Sequence, residues 1–207
     1  MAEVAAFLGV AALVIVTPGQ DTALTIRNTL LSGHVGGVFT AIGVATGQAT
    51  WTLVTSLGIG ALLAASQPVF TGLKLAGSAY LVFLGCRTIL WVLRGHHAAA
   101  LITAHPDTRL GWPGALRQGM LSNLGNPKML AFFTSLLPQF ANSFPGLLLH
   151  GLAFCAMTLI WLCAYTLATA KAGLLLRQPR IGRAIEGLTG AVLVGLGLRL
   201  AAEPALR

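Results

Sequence analysis

Hydrophobic positions fall into six long runs, at residues 4–31, 37–65, 69–93, 112–137, 146–170 and 182–202. A helix that crosses a bilayer needs about 20 mostly apolar residues, and each run reaches that length. Two runs are interrupted. In the first, Thr17-Pro18-Gly19-Gln20-Asp21 separates 4–16 from 22–31. In the fourth, Ser122-Asn123-Leu124-Gly125-Asn126-Pro127-Lys128 stands in the middle. Proline removes a backbone donor, and asparagine, aspartate and lysine are costly where hydrocarbon or a dry core surrounds them. The pattern predicts six membrane helices, with helices 1 and 4 broken at the midplane.

The remaining punctuation is simpler. The second run opens at Gly36-Gly37 and carries Gly43, Ala45, Gly47 and Ala49, a small-residue face of the kind that lets helices approach closely. Such a face permits a homodimer without demanding one. Gln48 and Thr52, at i and i+4, share a side of this helix. They either line a path or hydrogen-bond a neighbouring helix. Pro68 divides runs two and three, and the third holds Lys74, Gly77, Gly85 and Arg87. Residues 94–111 are the one long polar stretch, expected to be an exposed loop between a first unit, 1–93, and a second, 112–207. Its His96-His97 pair has no further ligand at metal spacing, so it reads as solvated loop. The fifth run holds His150, Trp161 and Tyr165, and the sixth Glu186, Gly190, Gly197 and Arg199. Trp51 and Trp161 read as packing residues, and Arg87, Arg199 and Lys74 as interfacial anchors.

Composition narrows the class. Of 207 residues, 56% are hydrophobic and only 9% charged, and the mean hydropathy is +0.81. Soluble domains carry about 25% charged residues, so this is a polytopic membrane protein in lipid. The net charge of +8 does not indicate nucleic acid, because the basic residues sit at the ends of apolar runs rather than in a patch interleaved with aromatics. The connections 1–2, 3–4 and 5–6, with adjoining helix ends, hold Arg27, Arg87, Arg94, Arg109, Arg117, Lys171, Arg177, Arg180 and Arg183. The other side holds Lys74, Arg199 and Arg207. Nine against three places those connections in the cytoplasm and both termini outside. Met1-Ala2-Glu3 lacks the positive start of a cleavable leader, so the first helix is expected to be retained. Cys86, Cys155 and Cys163 lie inside apolar runs without metal or CxxC spacing and read as small buried residues. No cofactor or metal is expected.

The two halves match. Pro18 pairs with Pro127, Trp51 with Trp161, Gly77 with Gly190, Gly85 with Gly197 and Arg87 with Arg199, at offsets of 109, 110, 113, 112 and 112. Three helices per half invert the second copy relative to the first, a plan common among secondary transporters.

The breaks then acquire a chemistry. Asn126 is a strong N-cap and Pro127 suits the first helical position, so a new half-helix is expected there. Thr17-Pro18 reads the same way, with Asp21 in the first turn, where the helix dipole favours an anion. Two half-helix N-termini meeting from opposite sides form an anion site suited to an amino-acid carboxylate. Asp21 then holds a substrate ammonium or takes up a proton. Lys128 pairs with Asp21, holds a carboxylate, or exchanges partners between states. Asn123, three residues before Asn126, lines the same cavity. The site so defined comprises Asp21, Lys128, Asn126, Asn123, Gln20 and Gln48, with Pro18, Gly19 and Pro127 as breakers.

At these residues the chain resembles the LysE/RhtB amino-acid exporters over nearly its whole length. The second half carries that family's Asn-Pro-Lys motif with following aromatics and Pro-Gln-Phe, here Asn126-Pro127-Lys128, Phe132-Phe133 and Pro138-Gln139-Phe140. The first half reads Pro18-Gly19-Gln20-Asp21, with Gln20 where the family has a second proline. Leu73-Lys74-Leu75-Ala76-Gly77 to Leu84-Gly85 also looks like the family's. The resemblance implies a bacterial inner-membrane exporter of amino acids or their derivatives, driven by proton exchange. Other readings weigh less. A redox carrier needs cysteines in the broken helices, which have none, and an intramembrane enzyme needs a Ser-His pair or HExxH, which is absent. A non-transporting scaffold, or a cation exporter of the same superfamily, stands as the alternative.

Overall fold

The computed structural model describes residues 2–17, 19–65, 67–94, 109–172 and 179–202. His96-His97, Pro18 and most of the 94–111 stretch lie outside them. The described residues are helical almost throughout, with no strand among them. Helix α1 (Ala2–Val16) precedes the first break, and α2 (Gln20–Ala65) follows it. Gly33, at φ 71° and ψ −169°, interrupts α2 in a left-handed conformation that glycine adopts at least cost. It divides α2 into arms 20–32 and 34–65. Gly36 then packs on Ser32 and the Asn28 carbonyl, and Gly37 on Thr29, so the arms form a tight hairpin. The apolar pattern left several residues between runs one and two; the chain turns on one glycine.

Helices α3 (Gln67–Leu93) and α4 (Trp112–Leu124) follow, then the second break. Beyond it the fourth run is irregular. A short α5 (Pro127–Ala131) passes into a π turn (Phe132–Leu136) and a 3-10 turn (Leu137–Gln139). Helices α6 (Phe144–Ala172) and α7 (Pro179–Ala202) complete the chain. All six apolar runs are therefore helical.

Close glycine contacts set the packing. Gly43 faces the backbone of Leu116 and Met120, Gly119 faces that of Thr40, and Gly47 faces Asn123, so arm 34–65 and α4 run parallel. Gly151 on Thr52 and Gly37 on Thr166 make α6 antiparallel to that arm. Gly85 against Gly190, and Gly197 against Ser78, make α3 and α7 antiparallel. The small-residue face of the second run is thus filled by α4 within the chain.

The main core gathers Phe7, Val14, Phe132, Phe133, Leu137, Leu147 and Phe154. Phe132 stacks on Phe154 at 4.1 Å, and Phe133 meets both rings edge-on. The outside is apolar too: Leu57, Leu149, Ile160 and Leu188 are exposed, while Asp21, Asn28, Gln48, Asn123 and Asn126 are buried. Polar inside and leucine outside is the distribution that a hydrocarbon solvent selects. Among the described residues, Gln20–Gly58 and Phe144–Thr169 are long and apolar enough to cross a membrane. One cysteine departs from expectation. Cys155 is buried, but Cys86 is exposed on the apolar outer face of α3, where a thiol meets no penalty.

Candidate functional site

The second break is a local device. Helix α4 ends at Gly125, and Asn126 (φ −80°, ψ 112°) leaves helical geometry. Its side-chain oxygen accepts from the Lys128 N–H at 3.0 Å, and Pro127 opens α5 without needing a donor.

The first break is built differently, and here the expected cap is corrected. The Thr17 hydroxyl does not cap the following helix; it donates back to the Leu13 carbonyl at 2.5 Å, closing the last turn of α1. The next helix starts later, at Gln20, and the Gly19 carbonyl accepts its first helical bond from Ala23 at 3.0 Å. Asp21 remains in the first turn.

Each break is completed by the other half. The Asp21 carboxylate is 7% exposed. It accepts from Ser122 Oγ at 2.9 Å on one oxygen. On the other it accepts from Asn123 Nδ2 at 2.8 Å and Asn126 Nδ2 at 2.9 Å. Three donors from one strip of the second half thus satisfy a buried anion of the first. In return, Lys128 Nζ donates to the carbonyls of Val14 at 3.1 Å and Thr17 at 2.9 Å. Those carbonyls belong to the C-terminal end of α1, which lacks partners of its own and carries the negative end of the helix dipole. Gly19 leaves the room: a Cβ there would sit 3.3 Å from Nζ.

Two expectations change. Asp21 and Lys128 make no direct ion pair; the amides hold the anion and the α1 carbonyls hold the cation. The anion site between helix ends is also filled by the protein itself, since the Asn126 oxygen takes the Lys128 N–H and its nitrogen binds Asp21.

The remaining candidates divide. Gln48, 1% exposed, donates to Thr158 Oγ1 at 3.2 Å and lies 3.6 Å from Met129 Sδ, so it bridges arm 34–65 to α6 and α5. Thr52 likewise faces Cys155 of α6 at 3.8 Å. Of the two roles open to this pair, the structure shows bonding to the neighbouring helix. Gln20 is exposed and joins none of these bonds. Ser122, Met129 and Thr158 were not anticipated as participants. Ser122 stood in the polar stretch but carried no distinct signal, and the other two resemble ordinary helix residues in sequence.

Broken helices that hold a buried carboxylate and a partly buried ammonium inside an apolar-faced bundle are a feature of membrane transporters. The LysE type translocator family matches residues 12–203, and the chain belongs to that family. It is 32% identical over 204 residues to an uncharacterized membrane protein of Vibrio cholerae, covering 97% of each chain. It is 26% identical to a homoserine/homoserine lactone efflux protein of Salmonella typhimurium, over 95% of this chain and 94% of the relative. With a threonine efflux protein of Salmonella typhi it shares 25% identity, over 90% and 91%. No solved structure gives a significant match.

Proposed function

We propose that this translocator exports amino acids or amino-acid derivatives across the bacterial inner membrane by proton antiport with alternating access. The observation that carries the reading is the buried Asp21 carboxylate, held across the two halves by Ser122, Asn123 and Asn126. Relatives named for homoserine and threonine efflux support the substrate class.

The chemistry follows from what a carboxylate can accept. Ionised, Asp21 takes bonds from the amides of Asn123 and Asn126, and these tie the halves together. A substrate ammonium competes with those amides for the same oxygens. A proton on the carboxylate removes acceptor capacity and releases them. Substrate and proton therefore exclude each other at one group, which is the requirement for exchange. Lys128, bonded to the end of α1, is the second tie that must yield when the halves rock.

The architecture proposed is six spans in two inverted three-helix units, 1–93 and 112–207, joined by the 94–111 loop. Parallel packing of arm 34–65 with α4, and antiparallel packing with α6, suit spans that alternate in direction. The two contacts that join α3 and α7 are near-equivalents under a two-fold operation: Gly85 with Gly190, and Gly197 with Ser78, beside Gly77. Helix α1, with 15 residues, reaches only about 22 Å, so crossing about 30 Å of hydrocarbon takes α1 and arm 20–32 together. The connections 1–2, 3–4 and 5–6 face the cytoplasm and both termini the outside.

Counterflow in proteoliposomes tests the reading. L-homoserine, L-threonine, L-leucine and L-lysine are offered as labelled substrates, with and without a pH gradient. Accumulation of at least one is expected, enhanced when the lumen is the acidic side, because under antiport a proton leaves as substrate enters. No accumulation of any would shift the assignment to a scaffold.

A further inference from the structure

The indole N–H groups of Trp51 and Trp161 are buried, and neither has an acceptor among the described residues. A buried indole N–H normally finds a partner, so a matched pair of orphans asks for an explanation. They are matched in two ways. Both rings pack on the main core, and they stand at the repeat offset of 110 residues. The same offset separates Gln48 and Thr158, three residues before each, and these two side chains are bonded to one another. Arm 34–65 and α6 are antiparallel here. Trp51 therefore lies a turn to one side of the Gln48–Thr158 contact and Trp161 a turn to the other, about 9 Å apart at 1.5 Å per residue. Orphans of the opposite sense lie close by. Gln48 Oε1 and Asn123 Oδ1 are buried acceptors without donors. Asn123 Oδ1 rests against Gly47, and its nitrogen is already on Asp21.

We propose that Trp51 and Trp161 are paired substrate-binding residues, one for each face of the membrane. Each indole N–H donates to the carboxylate or carbonyl end of the transported amino acid. Trp161 does so in the state open to the cytoplasm and Trp51 in the state open outward. Asp21 and the orphan oxygens of Gln48 and Asn123 receive the ammonium end. The proposal rests on the exporter reading above. The one lysine at the site is bonded to the α1 carbonyls, so the acyl end meets neutral donors. A neutral N–H serves a charged carboxylate and an uncharged ester carbonyl alike, so selection at that end is weak.

The test measures KM on each face separately, with inside-out vesicles for the cytoplasmic face and right-side-out vesicles for the outer one. L-threonine is the probe, or L-homoserine if it is the better substrate in the panel above. Trp161→Phe is expected to raise the cytoplasmic KM about tenfold, the worth of one net hydrogen bond. The outer KM stays near wild type. Trp51→Phe shows the reverse asymmetry. Replacing either residue by β-(3-benzothienyl)alanine, which keeps the ring shape and lacks the N–H, reproduces the effect where phenylalanine packs poorly. L-threonine methyl ester competes about as well as L-threonine. Unchanged KM values in both variants, or equal shifts on both faces, with an active wild type, would overturn the proposal and leave the tryptophans as packing. A wild type that carries no member of the panel would instead overturn the exporter reading itself.

Discussion

Asn126 uses both ends of its amide. The oxygen caps α5 and the nitrogen binds Asp21, so one side chain starts a half-helix and ties the two halves. Asn126→Ala is expected to destabilise the protein by about 1–2 kcal/mol through the lost cap alone, and to leave Asp21 a donor short. Asn126→Asp keeps a capping oxygen but sets a second carboxylate beside the first, so it should not rescue. Thermal unfolding in detergent checks this, and a wild-type midpoint in Asn126→Ala would refute it. Asn126-Pro127 was legible from sequence because a cap and a first-turn proline are local signals. Thr17-Pro18 looked equivalent but was not, because a threonine hydroxyl can equally bond back to the carbonyl four residues earlier, and here it does. The partners of Lys128 were illegible for another reason: they are backbone carbonyls, which leave no mark on side-chain pattern.

Among the helices, glycines decide which surfaces meet. A Cβ at Gly43 would lie 2.0 Å from the Leu116 carbonyl oxygen, and one at Gly119 would lie 2.2 Å from that of Thr40. Both obstacles are backbone, so arm 34–65 and α4 must separate to admit even a methyl group. Gly43→Ala and Gly119→Ala should each cost about 1–3 kcal/mol by overpacking. Gly9→Ala and Gly58→Ala, where nothing lies within 4 Å, should not destabilise. Equal thermal midpoints for all four variants would contradict this packing. The small-residue pattern announced a close helix contact, but it specifies distance and not partner, so which helix fills it was not legible. The π turn after α5 was illegible as well. Phe132-Phe133-Thr134-Ser135-Leu136 reads as ordinary helix, and no side chain in it announces the wider winding, within which Ser135 packs on Gly77.

Across the whole molecule, the six apolar runs were plain in the hydropathy, because a hydrocarbon solvent imposes length and composition on every span. What that solvent does not impose is which polar groups meet inside. The two halves are joined by a reciprocal exchange: Asp21 of the first reaches Ser122, Asn123 and Asn126, and Lys128 of the second reaches Val14 and Thr17. In the proposed alternating-access cycle, two charges satisfied this way, without pairing to each other, become available to new partners. In the proposed mechanism, export depends on Asp21 as the group that binds substrate ammonium and proton in turn, and on Lys128 as the tie that must reform. The direct measurement is efflux of preloaded labelled amino acid from cells or proteoliposomes bearing wild type, Asp21→Asn or Lys128→Ala at matched membrane levels. The account predicts that Asp21→Asn inserts normally and loses efflux almost entirely, with Lys128→Ala similarly impaired. Wild-type efflux from both variants would contradict it.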